Sequence, residues 1–307
     1  MTQKPPPHDW LAALLREDEP PAFLREKARE RLFFALAKKS DSAAARAIQR
    51  TLDPQASPLP ADDFQWLLGH AGQLLRLAAS LGKTKCVQEL LRHADPRAPS
   101  SKGATALMQA VKSQTLDTLR LLLPLSEPDA AHEDGRTALM IAAEIGFLDG
   151  LRLLLPHSAA HAADHEGRTA LMAAAAFGRE SGVEFLLPFS DLSSRDRDGR
   201  DALFFAAEGD HVGVVRCLVR HGAPLSEHPS GVDAASIAAE LRQWRTVNEL
   251  APLLSLARLR SLVASLAGSA PELVPALVAR VERADLRDEL ALTDSAAKPA
   301  GFRPSRL

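Results

Sequence analysis

Residues 135–156 read GRTALMIAAEIGFLDGLRLLLP. Apolar residues recur at helical spacing over 138–145 and again over 148–155, and Gly146 stands between the two runs. The pattern predicts two short helices joined by a tight reversal. Pro156 ends the second, because proline disfavours helical geometry at the residue before it and cannot continue the helix itself.

The stretch is one copy of several. Pro124, Pro156 and Pro188 are spaced by 32 residues, and the same step carries Gly103 to Gly135, Gly167, Gly199 and Gly231. A fixed period of this size marks a repeat architecture and has to be read before single elements. One step back from Gly103 lies Ala71, and Leu75, Ala78, Ala79, Gly82, Val87, Leu90 and Leu91 then fall where Leu139, Ala142, Ala143, Gly146, Leu151, Leu154 and Leu155 fall later. The array therefore covers residues 71–251, in about six units. At the helix reversal, Gly82, Gly146, Gly178 and Asp210 are residue types that accept a left-handed backbone. Gln114 and Arg242 are not, so strained or differently shaped turns are expected there. Two residues after each framing glycine stands Thr105, Thr137, Thr169, Asp201 or Asp233, each able to cap the following helix through a side-chain oxygen.

Residues 164–178, DHEGRTALMAAAAFG, and 196–223, DRDGRDALFFAAEGDHVGVVRCLVRHGA, resemble the ankyrin-repeat family. The family's T-P-L-H-x-A appears as TALMQA, TALMIA and TALMAA, with methionine in place of histidine and Phe204 there in the next copy. A hydrogen-bonding residue has been exchanged for packing. The period is 32 where the family's is about 33, the missing residue falling in the hairpin finger. The resemblance implies an all-α solenoid of stacked units with short β-hairpin fingers. Residues 1–70 are expected to be helical, with 22–52 a decayed capping unit carrying Phe33, Leu36, Ala37, Ser40 and Ile48 at the repeat's offsets and 54–63 a linker. Residues 252–292 are expected to form a helical cap of two helices broken at 268–271, and 293–307 a flexible tail.

Composition sets the outer limits. The 307 residues include 46% hydrophobic and 25% charged, enough for a sizeable core, and a formal net charge of −2 offers no basic field for nucleic acid. Nucleic-acid and membrane partners are not expected, since no apolar run approaches a membrane span. The N-terminal apolar stretch, residues 10–15, is too short for a secretory signal. A cytoplasmic location is expected, with export by another route left open. Cys86 and Cys217 fit a reducing compartment. They fall on second helices of units four apart, about 30–40 Å at the spacing of packed helices, beyond disulfide reach.

Two features suggest chemistry. Ser126, Ser158 and Ser190 recur in LLLPLS, LLLPHS and FLLPFS, but no nucleophile elbow surrounds them and no histidine recurs in register. They occupy the place where Gly222 stands in the copy lacking proline, so a structural role is expected. The unit ending ELLRHAD has neither proline nor glycine and should have the least regular turn. His157, His161 and His165 would form a metal stripe on one helix, but Pro156 denies that helix. No cofactor motif is present, and no cofactor, metal or catalytic residue is expected.

The family resemblance places the binding face on the finger tips and the inner edge of the first helices. Matched position by position, it comprises Lys102, Ala104, Lys112, Glu133, Asp134, Arg136, Glu144, Ile145, His165, Glu166, Arg168, Phe177, Arg197, Asp198, Arg200 and Glu208. Arg136, Arg168 and Arg200 form a ladder, each two residues after an acid. Either the ladder is a set of inter-finger ion pairs, worth little singly, or it contacts a partner. Phe177 is an aromatic on an inner-helix edge, able to anchor a partner or to be covered by its neighbours. The resemblance implies a non-catalytic scaffold or adaptor that binds a protein partner. The alternatives are a bacterial effector acting on a host protein and a targeting module for an activity in the terminal segments.

Overall fold

A computed structural model describes residues 39–52, 68–225 and 233–266, together with 275, 278 and 279. Among these residues the chain is helical. After α1 (Asp41–Leu52) come six helix pairs: α2 (Ala71–Ser80) with α3 (Thr84–Leu90), α4 (Ala106–Lys112) with α5 (Leu116–Leu122), and α6 (Ala138–Ile145) with α7 (Leu148–Leu154). Then follow α8 (Ala170–Ala176) with α9 (Glu180–Leu186), α10 (Ala202–Glu208) with α11 (Val212–Arg220), and α12 (Ala234–Glu240) with α13 (Trp244–Leu250). Helix α14 (Leu256–Leu266) ends the series.

The first helices of the pairs stack on one another as an inner row and the second helices as an outer row. Helices of seven residues are marginal in isolation, so packing between units has to hold them. Alanine pairs such as Ala142 and Ala143, Ala174 and Ala175, and Ala206 and Ala207 are fully buried and let the helices approach closely. Leu139, Leu151, Leu154, Leu171 and Leu186 fill the space between rows. Met108, Met140, Met172 and Phe204 are buried too, so the histidine position of the family is here a packing position.

All five predicted caps are made. Thr105, Thr137 and Thr169 accept from the amides of Met108, Met140 and Met172, and Asp201 and Asp233 from those of Phe204 and Ser236. The helix reversal has one shape throughout. Gly82, Gly146 and Gly178 have φ of 65°, 78° and 66°, and Gln114, Asp210 and Arg242 take φ of 54°, 54° and 60° at the matching positions. The turns at Gln114 and Arg242 are thus of the common shape, and the side chain bears the strain.

The prolines act as expected. Three-residue 3-10 turns, Leu123–Leu125, Leu155–His157 and Leu187–Phe189, each with proline second, close α5, α7 and α9. Ser126, Ser158 and Ser190 follow in extended backbone, with φ of −117°, −126° and −124°. Arg220 replaces proline in α11, the helix runs on, and Gly222 turns the chain at φ +77°. A fourth such turn, Ala251–Leu253, shows that Pro252 continues the series 64 residues after Pro188.

The fingers differ from expectation. Among the described residues there is no named strand, only an isolated bridge between Ala163 and Thr169. The expected β-hairpin fingers are tight turns instead. Two main-chain bonds close each turn: Ser100, His132, Asp164 and Asp196 donate to the carbonyls of Ala104, Arg136, Arg168 and Arg200 at 2.8–2.9 Å, and their own carbonyls accept from the amides of Gly103, Gly135, Gly167 and Gly199 at 2.8–3.0 Å.

At the ends, α1 packs along α3, where Asp41 accepts from the amides of Lys85 (2.9 Å) and Cys86 (3.1 Å) and so supplies a cap that α3 lacks. Burial, then the Asp41 hydrogen bond and charge, push the Cys86 thiol up to about 12. Cys217 is buried as well. Helix α14 lies against α12, and Arg258 Nε donates to Asp233 Oδ2 at 2.9 Å. Most of the expected 22–52 capping unit before α1, the 54–63 linker, Gly231, the second C-terminal helix and the 293–307 tail lie outside the described residues.

Candidate functional site

Three fingers, those of Gly103, Gly167 and Gly199, are closed by a polar side chain three residues before the framing glycine. Asp164 Oδ1 accepts from the amides of Glu166 (2.9 Å) and Arg168 (2.8 Å), and Asp196 Oδ1 from those of Asp198 (3.0 Å) and Arg200 (2.8 Å). Ser100 Oγ does the same for Lys102 (3.3 Å) and Ala104 (3.1 Å). In the Gly135 finger His132 takes that place, and the acid moves two residues on: Asp134 Oδ1 accepts from the Arg136 amide at 3.1 Å and lies 3.0 Å from His132 Nδ1. The framing glycine is required here. A Cβ on Gly135, at φ 84°, would stand 2.6 Å from the His165 amide nitrogen of the next finger. Adjacent fingers are joined by the amides of Glu133, His165 and Arg197, which donate to the carbonyls of Lys102, Asp134 and Glu166 at 2.8, 3.0 and 2.8 Å.

This geometry decides what the arginine ladder is. Arg136 Nε pairs with Asp134 Oδ2 at 2.6 Å and its Nη1 with Glu144 Oε2 at 2.9 Å. Arg168 pairs with Asp164 Oδ2 (3.0 Å) and Glu166 Oε2 (3.2 Å), and Arg200 with Asp196 Oδ2 (2.8 Å) and Asp198 Oδ2 (2.9 Å). The pairs lie within a finger and its own inner helix, and the expected inter-finger pairs are not what the ladder forms. Each arginine meets two carboxylates. Burial would raise the Asp134 pKa, but hydrogen bonds from the Arg136 amide and guanidinium, and from His132, hold it at about 2.

Of the other matched positions, Lys112, Glu133, His165, Glu166, Arg197, Asp198 and Glu208 are exposed, and Lys102, Asp134, Arg136, Glu144, Ile145, Arg168 and Arg200 half-buried. Ala104 is a correction. It stands in register with Arg136 but is only 2% exposed, because it lies beneath its finger and has no side chain to reach outward. His157 sits in a 3-10 turn, with His161 and His165 beyond it, so the three do not share a helix. No group of three metal-ligating side chains occurs among the described residues. Ser190 Oγ donates to the Leu186 carbonyl at 2.9 Å, closing its own helix end.

Among the described residues, the face of the first helices carries a cleft of about 120 Å³ over α8, lined by Arg136, Met140, Glu144, Asp164, Arg168, Thr169, Met172, Ala173, Ala176, Phe177 and Phe205. Its origin is visible in the repeat columns. Gln109, Ile141, Ala173, Phe205 and Ile237 share one position and Lys112, Glu144, Ala176, Glu208 and Glu240 another, and α8 has alanine at both. The neighbouring helices therefore stand as walls. Phe177, on the lip, is 50% exposed and not covered by its neighbours.

Comparison with known families matches "Ankyrin repeats (3 copies)" over residues 61–132 and 114–196 and "Ankyrin repeat" over residues 198–228. These regions make up more than half of the 307 residues. A comparison with curated proteins returned no match. No described helix is long and apolar enough to cross a membrane. Ankyrin repeats are general protein–protein interaction modules. Since the family matches run over the first five stacked pairs and more than half of the chain, it belongs to the ankyrin-repeat family.

Proposed function

We propose that the protein is a non-catalytic scaffold or adaptor that holds a protein partner on its inner face, centred on α6, α8 and α10. The exposed Phe177 at the lip of the α8 cleft carries this reading. An aromatic ring half in water beside an apolar hollow is the arrangement that binding hot spots use, since covering it removes apolar area from water without ordering a flexible side chain. The rigid, doubly paired finger bases hold the surrounding charges in place before any partner arrives, which lowers the entropic cost of binding. In this reading α1 and α14 cover the two ends of the stack, where apolar surface would otherwise face water.

The test is replacement of Arg136, Arg168, Arg200 and Phe177 together, with affinity for a captured partner as the readout and the unfolding midpoint as control. Binding weakened by tenfold or more in a folded variant is the expected result. Unchanged affinity removes this face from consideration.

A further inference from the structure

We infer that the partner segment seated on this face carries a branched aliphatic side chain with a basic residue about three positions away on each side. The inference rests on the inner-face reading above and specifies the chemistry of its occupant.

The aliphatic residue follows from the cleft. Its floor is Met172, Ala173 and Ala176, and its walls are α6 and α10, with Phe177 at the lip. A cavity of about 150 Å³ holds a benzene molecule. This cleft, about 120 Å³ and open to solvent on one side, takes one leucine- or isoleucine-sized group.

The basic residues follow from the ladder. Taken alone, a row of arginines suggests an acidic partner. Here Arg136 is met by Asp134 and Glu144, Arg168 by Asp164 and Glu166, and Arg200 by Asp196 and Asp198. The Arg136 and Arg168 rungs therefore have one carboxylate in surplus each, whereas at the third the exposed Arg197 offsets it and Glu208 supplies the remaining negative charge. Glu144 and Glu208 lie in the last turns of α6 and α10 on either side of Ala176, whereas Lys112 holds that position one unit before Glu144. The acidic row thus begins at α6 and brackets the cleft.

The spacing follows from the stack. Two packed-helix steps of about 8–10 Å separate Glu144 from Glu208. An extended segment rises about 3.3 Å per residue, so about five or six residues cover that distance, with the cleft midway.

The experiment selects a random heptapeptide display library on the full chain and measures the synthetic peptide Lys-Ser-Thr-Leu-Ser-Thr-Arg by fluorescence anisotropy. Selected peptides are expected to show basic residues flanking an aliphatic one. Binding of the synthetic peptide should fall about tenfold or more with the Ala173→Ile, Ala176→Glu double variant, which gives α8 the residues of its neighbours. It should fall about two- to fivefold with Glu208→Gln. Replacing the peptide's leucine by serine should cost about the same tenfold, and needs no variant to fold. Selection of acidic or aliphatic-free peptides that the double variant releases overturns the inference and leaves the inner-face reading standing. So does failure of the synthetic peptide to bind at millimolar concentration. Selected peptides that no inner-face substitution weakens overturn both.

Discussion

The guanidinium carbon of Arg200 lies 4.8 Å from the centroid of the Phe205 ring. The same guanidinium holds Asp196 and Asp198, so ring and carboxylates fix it together. Asp196 is buried, pairs with Arg200 and accepts from the amides of Asp198 and Arg200. Arg200→Ala should cost about 2 kcal/mol in urea unfolding, because it leaves a buried carboxylate without its counter-ion. Arg200→Lys keeps the charge but loses the planar fork and the stacking, and should cost less. Equal losses in the two variants would show that charge plays no part.

The helix caps should separate by their neighbours. Thr137→Ala removes a bond to the Met140 amide and should cost about 1 kcal/mol. Asp233→Ala removes the corresponding bond to the Ser236 amide, and also the carboxylate that Arg258 reaches from α14. It should cost more than Thr137→Ala. Thermal or urea unfolding of the two single variants decides this, and a larger loss at Thr137 would deny that Arg258 ties α14 to the stack.

Among the described residues, three that bear side chains sit in left-handed backbone, and glycine should suit them unequally. Gln114→Gly should stabilise the protein by about 0.5–1 kcal/mol, since its side chain is exposed and φ is 54°. Asp210→Gly should gain nothing, because Thr246 Oγ1 donates to Asp210 Oδ1 at 2.8 Å and that bond would be lost. The comparison needs only unfolding midpoints. A destabilised Gln114→Gly would mean that this turn is not strained.

Acid sensitivity should trace in part to the fingers. An aspartate in the unfolded chain titrates near 3.9, whereas Asp134 in the folded chain is held at about 2. Asp233 is lowered too: burial opposes the shift, and the bonds from Arg258 and Ser236 outweigh it. Both contributions are complete well above pH 4 and are lost as pH falls toward 2. Urea midpoints between pH 5 and 2.5 should therefore fall less steeply in Asp134→Asn than in the native chain. Parallel curves would remove Asp134 from the acid response.

Most of the fold was legible because the repeat writes each physical requirement several times. Gly135 and its equivalents, Thr137 and its equivalents, and the leucine–proline runs each mark one backbone event, and repetition separates them from chance. Pro252 was missed because Arg220 interrupts the proline series. The finger shape differs from the expected hairpin only in lacking a named strand among the described residues, since the main-chain bonds that close each turn are made. At the site, acids two residues before the ladder arginines were visible. The buried Asp164 and Asp196 were not, although a column of Ser100, His132, Asp164 and Asp196 before each framing glycine signals a turn-closing acceptor. The α8 cleft needed the repeat columns read for size rather than for charge, since Ala173 and Ala176 attract notice only beside Phe205 and Glu208.

The central claim is that a partner lies on the inner face, and two exposed phenylalanines allow a direct test. Phe177 edges the α8 cleft at 50% exposure, while Phe189 ends the outer-row turn after α9 at 52%. A photo-crosslinking amino acid placed at either position, in cells that make the protein, reports what touches each surface. The account predicts a discrete protein adduct from position 177 and none from position 189. Adducts from 189 alone would contradict it.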